Sequence, residues 1–338
     1  MTFNPQPLIR LVGSRSFALL LVIASTAMTI GGAYAGADAA LPPDNTGFGL
    51  TIPSRWIDSP ELSMLAALGV DFAVMAGILL LNRSFNLIRG LRGAGWLFAA
   101  LYMLMQGATG AAGQFTGGSL LVLVAIASFF LLYSVYQRPD MARRVLLVFV
   151  MLGAGSLIDY GFIPYLIVMA AGCVQMRVMG MRCIIAMLAG TLVPLWVLWA
   201  FGLIEPCSFS MPEVVSIFAP ESHRPALRLV TATVVVMAAG IVTGLLDMLQ
   251  VYARNARTRA FFGLFAVTGI MTMILSVIDF NHIYFYAPLL NVCTAFFMTL
   301  LYSFRQRGSL GAGTVAISLV TVAFAVLYIW KIINVLMS

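Results

Sequence analysis

Residues 119–144 read SLLVLVAIASFFLLYSVYQRPDMARR: nineteen positions without a charged side chain, then Arg138, Asp140, Arg143 and Arg144 within the next seven. Nineteen helical residues at about 1.5 Å each span about 28 Å, close to a bilayer hydrocarbon core about 30 Å thick. An apolar run of that length closed by arginines is the repeating unit of a multi-pass membrane protein, and the chain repeats it. Apolar segments lie at about 16–35, 62–81, 94–111, 119–136, 183–203, 229–250, 260–278, 283–303 and 312–333, with a longer region at 145–176. The gaps between them alternate in charge. One set holds Arg10 and Arg15, then Arg83, Arg89 and Arg92, then Arg138, Arg143 and Arg144, then Arg177 and Arg182, then Arg254, Arg257 and Arg259, then Arg305 and Arg307, which is 15 of the 19 basic residues. The other set holds only Arg55, Arg224, Arg228 and Lys331, and most of the acids. Basic loops stay cytoplasmic, so the alternation predicts an N-terminus inside the cell and a C-terminus outside.

The expected fold is all-α: a single integral membrane domain over 1–338, a polytopic transmembrane helical bundle of about 11 spans, or 10 if the N-terminal segment is cleaved. Cleavage is weighed because Arg10 and Arg15 precede an apolar run ending at Ala33-Tyr34-Ala35, a pattern like a signal-peptidase site; the alternative is a retained signal anchor. The 32 residues of 145–176 are too long for one crossing, and arginines at both ends require an even number of crossings. A tight pair of short helices with Asp159 near the outer face satisfies both demands, as does a re-entrant hairpin. The sizeable outer loops are about 36–61 and 204–225. No internal repeat is apparent.

Composition narrows the function classes. The chain is 62% hydrophobic and 9% charged, with mean hydropathy +1.01, whereas a soluble domain carries about a quarter charged residues. The net charge of +7 follows from the short basic loops, so no nucleic-acid partner is expected. No gap is long enough for a soluble domain, so any site must be built from helix ends, short loops and the bundle interior. Cys173, Cys183, Cys207 and Cys293 form no CxxC pair and no Cys/His ligand spacing, so neither a metal nor a cofactor site is expected.

Ionisable residues inside spans are costly and therefore informative. Asp71, two to three turns into the second span from the outside, reads as a proton site or catalytic base, or else as a structural partner for a buried polar side chain. Asp247 lies near Arg254 and reads as half of an interfacial pair. Around the outer loops, Asp44 and Asp58 are further candidate bases. Arg55, Trp56, His223, Arg224 and Arg228 are candidate binders of an anionic lipid-linked phosphate, because guanidinium binds phosphate with paired hydrogen bonds. Their alternatives are pairing with Glu205, Glu213 or Glu221, or with lipid head groups. Asp279, Asn281 and His282 form a short outer turn in which Asp and His suit acid–base work, and Asp159-Tyr160 forms another. Gly240 and Gly244 have the spacing of a close helix contact.

The stretch Ile163-Pro164-Tyr165-Leu166, then Arg182, then Gly190-Thr191-Leu192-Val193-Pro194-Leu195-Trp196, resembles part of an uncharacterised family of bacterial polytopic inner-membrane proteins. The layout is also similar to that of envelope glycan enzymes that use polyprenyl-phosphate sugars, with many helices, an acid-bearing outer loop after the first span and outer-face arginines. Asp38, Asp44, Asp58 and Glu61 occupy the corresponding region. The resemblance implies a bacterial inner-membrane location, membrane lipids as surroundings and a polyprenyl-phosphate-linked substrate. Three functions are therefore weighed: a glycosyl or group transferase or glycan polymerase at the outer face, a transporter or lipid flippase, and a non-enzymatic scaffold of an envelope assembly complex. An outer pocket opening to lipid would favour the first, a central cavity between similar halves the second, and a filled interior the third.

Overall fold

The computed structural model describes residues 12–34, 45–46, 51–52, 57, 59–88, 94–110, 113–138, 140–202, 227–251, 255–303 and 312–337. Nearly all of them are helical. The helices are α1 (Arg15–Tyr34), α2 (Pro60–Phe85), α3 (Ala94–Thr109), α4 (Gly117–Ser134), α5 (Ala142–Ile158), α6 (Ile163–Gln175), α7 (Met181–Ala200), α8 (Leu227–Val251), α9 (Ala256–Ile278), α10 (Ile283–Ser303) and α11 (Ala312–Met337). The only strand pairing among the described residues is two residues long, Asn45–Thr46 against Thr51–Ile52. Apolar surroundings leave backbone N–H and C=O groups no partner except each other, so apolar runs become helices. Their ends follow local chemistry. Pro60 fits the first turn of α2, where its missing N–H costs nothing, and Asn86 ends the helix in the left-handed region at φ 49°.

Six helices, α2, α4, α7, α8, α9 and α10, are long and apolar enough to cross a membrane. They differ sharply in burial. In α7 22% of the apolar window is inside the protein, and in α10 94%. Trp196, Trp199 and Leu188 of α7 point outward, whereas every residue of α10 from Phe285 to Tyr302 is buried. Helix α10 is thus the central post. It packs against α3, α4, α8, α9 and α11. Helix α1 covers α2 and α3, and α5 joins α7 to α4 and α6.

Small residues set the close approaches. A Cβ on Gly240 of α8 would lie 2.7 Å from Thr294 Oγ1 of α10, and one on Gly190 of α7 would lie 2.7 Å from the Leu146 carbonyl of α5. Ser25 of α1 donates its hydroxyl to the Met103 carbonyl beside Gly107. The two ends of the bundle differ in kind. Around the ends of α2 and α4 and the start of α9 lies an aromatic plug, in which Phe265 stacks on Phe296 at 4.0 Å and Tyr133 packs on Phe261 at 4.1 Å. Phe85 closes it with edge contacts to Phe130, Tyr133 and Phe261. The opposite end holds the turns 159–162 and 279–282, and it is polar.

Candidate functional site at the hairpin tips

The polar end is built by two helical hairpins of one design. Helix α5 stops at Ile158 because Asp159 turns to extended backbone (φ −147°, ψ 129°), and its carboxylate accepts the Gly161 N–H at 2.8 Å. A single 3-10 turn, Tyr160–Phe162, leads into α6, whose Pro164 lies in the first turn. In the second hairpin α9 stops at Asp279, the turn is Phe280–His282, and α10 follows. The sequences match at the tips. Ser156, Ile158, Asp159, Ile163 and Cys173 are repeated as Ser276, Ile278, Asp279, Ile283 and Cys293, each 120 positions later. This local match is too short to stand out in the sequence by eye. Asp159 caps its following turn through the Gly161 N–H, whereas Asp279 makes no such cap and turns its carboxylate to side chains instead.

Glycines press the tips together. A Cβ on Gly161 would lie 2.5 Å from the Phe285 ring, and one on Gly118 at the start of α4 would lie 2.6 Å from the Phe285 carbonyl. Gly117 faces the Asp159 carboxylate, 3.1 Å from where its Cβ would stand. The region at 145–176 is accordingly two helices meeting at a buried turn.

Within this end Asp279 is the hub. Its Oδ2 accepts the Tyr160 hydroxyl at 2.8 Å and the Tyr286 hydroxyl at 3.2 Å, and its Oδ1 lies 2.9 Å from His282 Nδ1. The Tyr160 hydroxyl also touches His282 Nδ1 and lies 3.3 Å from Nε2, with the rings edge-on at 4.8 Å. Once Tyr160 gives its proton to Asp279, both oxygens around Nδ1 are acceptors. Nδ1 therefore carries the proton of the neutral ring, and the basic lone pair lies on Nε2. Asp279 is 2% exposed, His282 7% and Tyr160 8%, so the group is held rigidly and His282 keeps a sliver of surface. The neighbouring Asn281 Oδ1 is buried with no hydrogen-bond partner. An imidazole oriented by a carboxylate is a competent proton acceptor.

A second polar network lies deeper. Asp71 of α2 accepts the Tyr102 hydroxyl at 2.6 Å and the Gln106 amide at 3.0 Å, both on Oδ1. Gln106 Oε1 in turn accepts Asn291 Nδ2 of α10 at 2.6 Å, and Thr109 lies 3.4 Å from the same nitrogen. Asn291 is five residues beyond Tyr286 on α10, about 7.5 Å further along the axis.

Of the residues singled out from the sequence, Asp159, Asp279 and His282 thus come together at one end, and Asp71 belongs to the separate deeper network. Asp44, Arg55, Trp56, Asp58, His223 and Arg224 lie outside the described residues, as does the side chain of Arg228. Asp247 is fully buried and neither carboxylate oxygen has a hydrogen-bond partner, and Arg254, its expected interfacial partner, lies outside the described residues. Tyr286, Tyr102, Gln106 and Asn291 were not marked by the sequence reading. The repeated Ser-x-Ile-Asp pattern was the available signal for the tip cluster; nothing comparable marks the deeper one. Compared with protein-family models, curated proteins and solved structures, the chain matches none of them.

Proposed function

We propose that the protein is a multi-pass enzyme of a bacterial inner membrane, of about 11 spans with its N-terminus in the cytoplasm, that transfers a glycosyl or related group from a polyprenyl-phosphate carrier at the outer face. The observation that carries this reading is the Asp279–His282 pair with Tyr160, at the end of the bundle opposite the arginines of the 138–144 and 177–182 turns. By the charge rule that end faces out. In the reaction His282 Nε2 takes the proton of an acceptor hydroxyl. The hydroxyl oxygen bonds to the transferred carbon, and the bond from that carbon to the carrier phosphate oxygen breaks. Asp279 stabilises the imidazolium that forms, and Tyr160 fixes the carboxylate. The phosphate leaves with the electron pair, held by cations such as Arg55, Arg224 or Arg228.

A second reading, a non-enzymatic scaffold of an envelope complex, is favoured by the filled core along α10. The same filling disfavours a transport path through that helix. The deciding experiment replaces the chromosomal copy with His282→Gln or Tyr160→Phe, checks the protein level in membranes, and measures polyprenyl-linked species in lipid extracts by mass spectrometry. His282→Gln should match the deletion phenotype and accumulate unconsumed carrier-linked donor, with Tyr160→Phe intermediate. Full complementation by His282→Gln without accumulation would refute the enzyme and leave the scaffold.

A further inference from the structure

The deeper network has an electrostatic deficit that its own residues cannot repair. Asp71 stands eleven residues into α2 and is 3% exposed, and Asn291 is fully buried in α10. Among the described residues no arginine, lysine or histidine pairs with Asp71; the ion pair found there is His282 with Asp279. Its Oδ1 receives two donors, while its Oδ2 is buried without a partner. If the carboxylate is ionised, its charge has no counter-charge in apolar surroundings. If it is protonated on Oδ2, the new O–H has no acceptor. Both states leave a buried polar atom unsatisfied, which folded proteins seldom tolerate.

Asn291 presents the matching defect. Its Nδ2 is bonded to Gln106 Oε1, and its Oδ1 is buried without a partner. Gln106 holds both residues through one amide group, its Nε2 on Asp71 and its Oε1 on Asn291. The two unpartnered oxygens therefore belong to one network spanning α2, α3 and α10. One carboxylate and neutral oxygens suit a hard monovalent ion. A divalent ion asks for more carboxylates, and softer metals ask for nitrogen or sulfur. Among the described residues no group of three or more His, Cys, Asp or Glu side chains gathers to hold such an ion.

We propose that Asp71 and Asn291, braced by Gln106 and Tyr102, bind a monovalent metal cation such as sodium. The cation neutralises Asp71 and ties α2 to α10. The site is distinct from the proposed transfer centre and stands or falls without it.

The test uses the full-length protein in detergent. Thermal midpoints are measured in NaCl, KCl and N-methyl-D-glucamine chloride at equal ionic strength, for the wild type, Asp71→Asn and Asn291→Leu. In parallel, dicyclohexylcarbodiimide, an apolar reagent for protonated carboxyls, is applied with and without sodium, and adducts are mapped by peptide mass spectrometry. A ligand that binds only the folded state raises its midpoint. The expected result is a midpoint several degrees higher in a metal salt than in the organic one, a response absent from Asp71→Asn and weakened in Asn291→Leu. Labelling at Asp71 should slow several-fold with the metal, while labelling at Asp247 should not change. Equal wild-type midpoints in all three salts, or a metal response that survives in Asp71→Asn, would overturn the site. Asp71 labelling that ignores the metal would also overturn it and make the proton the occupant. If neither variant folds, wild-type labelling decides.

Discussion

Replacing Asp279 by Asn keeps the side chain's size and shape and removes its charge, so it isolates what the carboxylate contributes. The carboxylate receives Tyr160 at 2.8 Å, His282 Nδ1 at 2.9 Å and Tyr286 at 3.2 Å. An amide has one acceptor oxygen and one donor nitrogen. If its oxygen keeps the two phenols, its NH2 faces His282 Nδ1, which must then give up its proton. The basic lone pair moves to Nδ1, and Nε2 becomes a donor. If the amide is turned over, the phenols face an NH2 and must find other acceptors. Either way at least one charge-assisted bond is lost, at about 1.5–3 kcal/mol each. Tyr286→Phe removes only the longest contact, and a single buried polar bond in a membrane bundle averages about 0.6 kcal/mol. The expected order of destabilisation in detergent unfolding is Asp279→Asn, then Tyr160→Phe, then Tyr286→Phe. With the base misoriented, transfer by Asp279→Asn should fall on the order of 10²–10⁴-fold. The reasoning fails if Asp279→Asn stays within about 0.5 kcal/mol of wild type, the range of an ordinary surface change, or if Tyr286→Phe costs more.

Two further outcomes test the packing. Phe265→Ala removes a ring stacked on Phe296 at 4.0 Å and tilted on Phe129 at 4.7 Å. The void, on the order of 100 Å³ at about 24 cal/mol per Å³, contributes about 2 kcal/mol, and each lost ring pair adds about 0.5–1.5 kcal/mol. Ile270→Ala on the same helix, where the side chain is 59% exposed, should cost close to nothing, since lipid tails are as apolar as the side chain; equal costs in an unfolding titration would contradict the described core. Gly118→Val would drive a Cβ to 2.6 Å from the Phe285 carbonyl and 2.8 Å from that of Tyr284, backbone atoms that cannot swing aside. It should abolish a monodisperse peak in size-exclusion chromatography, whereas Gly69→Ala, with nothing within 4 Å, should leave it intact.

The helices were legible in the sequence because an apolar run of fixed length has one good backbone solution. The 94–111 reading became α3 at Ala94–Thr109, and 283–303 became α10 at the same bounds. Which faces meet was not legible. A soluble helix advertises its buried face by a polar stripe opposite it, but a helix apolar on every side gives no such sign. The lower hydropathy of α10 sets it apart from the other long helices, but nothing in its composition says which helices surround it, or that Asn291 points to Gln106 rather than to a neighbour on α8. Tyr102 and Gln106 look like ordinary occupants of an apolar segment until α2 is placed beside them. At the tips the reading went further, because Asp159 and Asp279 interrupt their runs, and an interruption is a local signal. That the two turns press on each other depends on Gly118 and Gly161, whose role shows only once Phe285 stands against them.

The complete enclosure of α10 bears on how the chain is made. Of the six long apolar helices it is the least hydropathic, and it carries Asn291, Thr294 and Thr299 with no side turned outward. Alone in a bilayer those groups would face hydrocarbon on every side. Four of its neighbours, α3, α4, α8 and α9, precede it in the chain, and only α11 follows. During synthesis α10 therefore emerges after most of its slot has been translated. Its passage from the insertion machinery into the bundle amounts to the closing of a prepared socket.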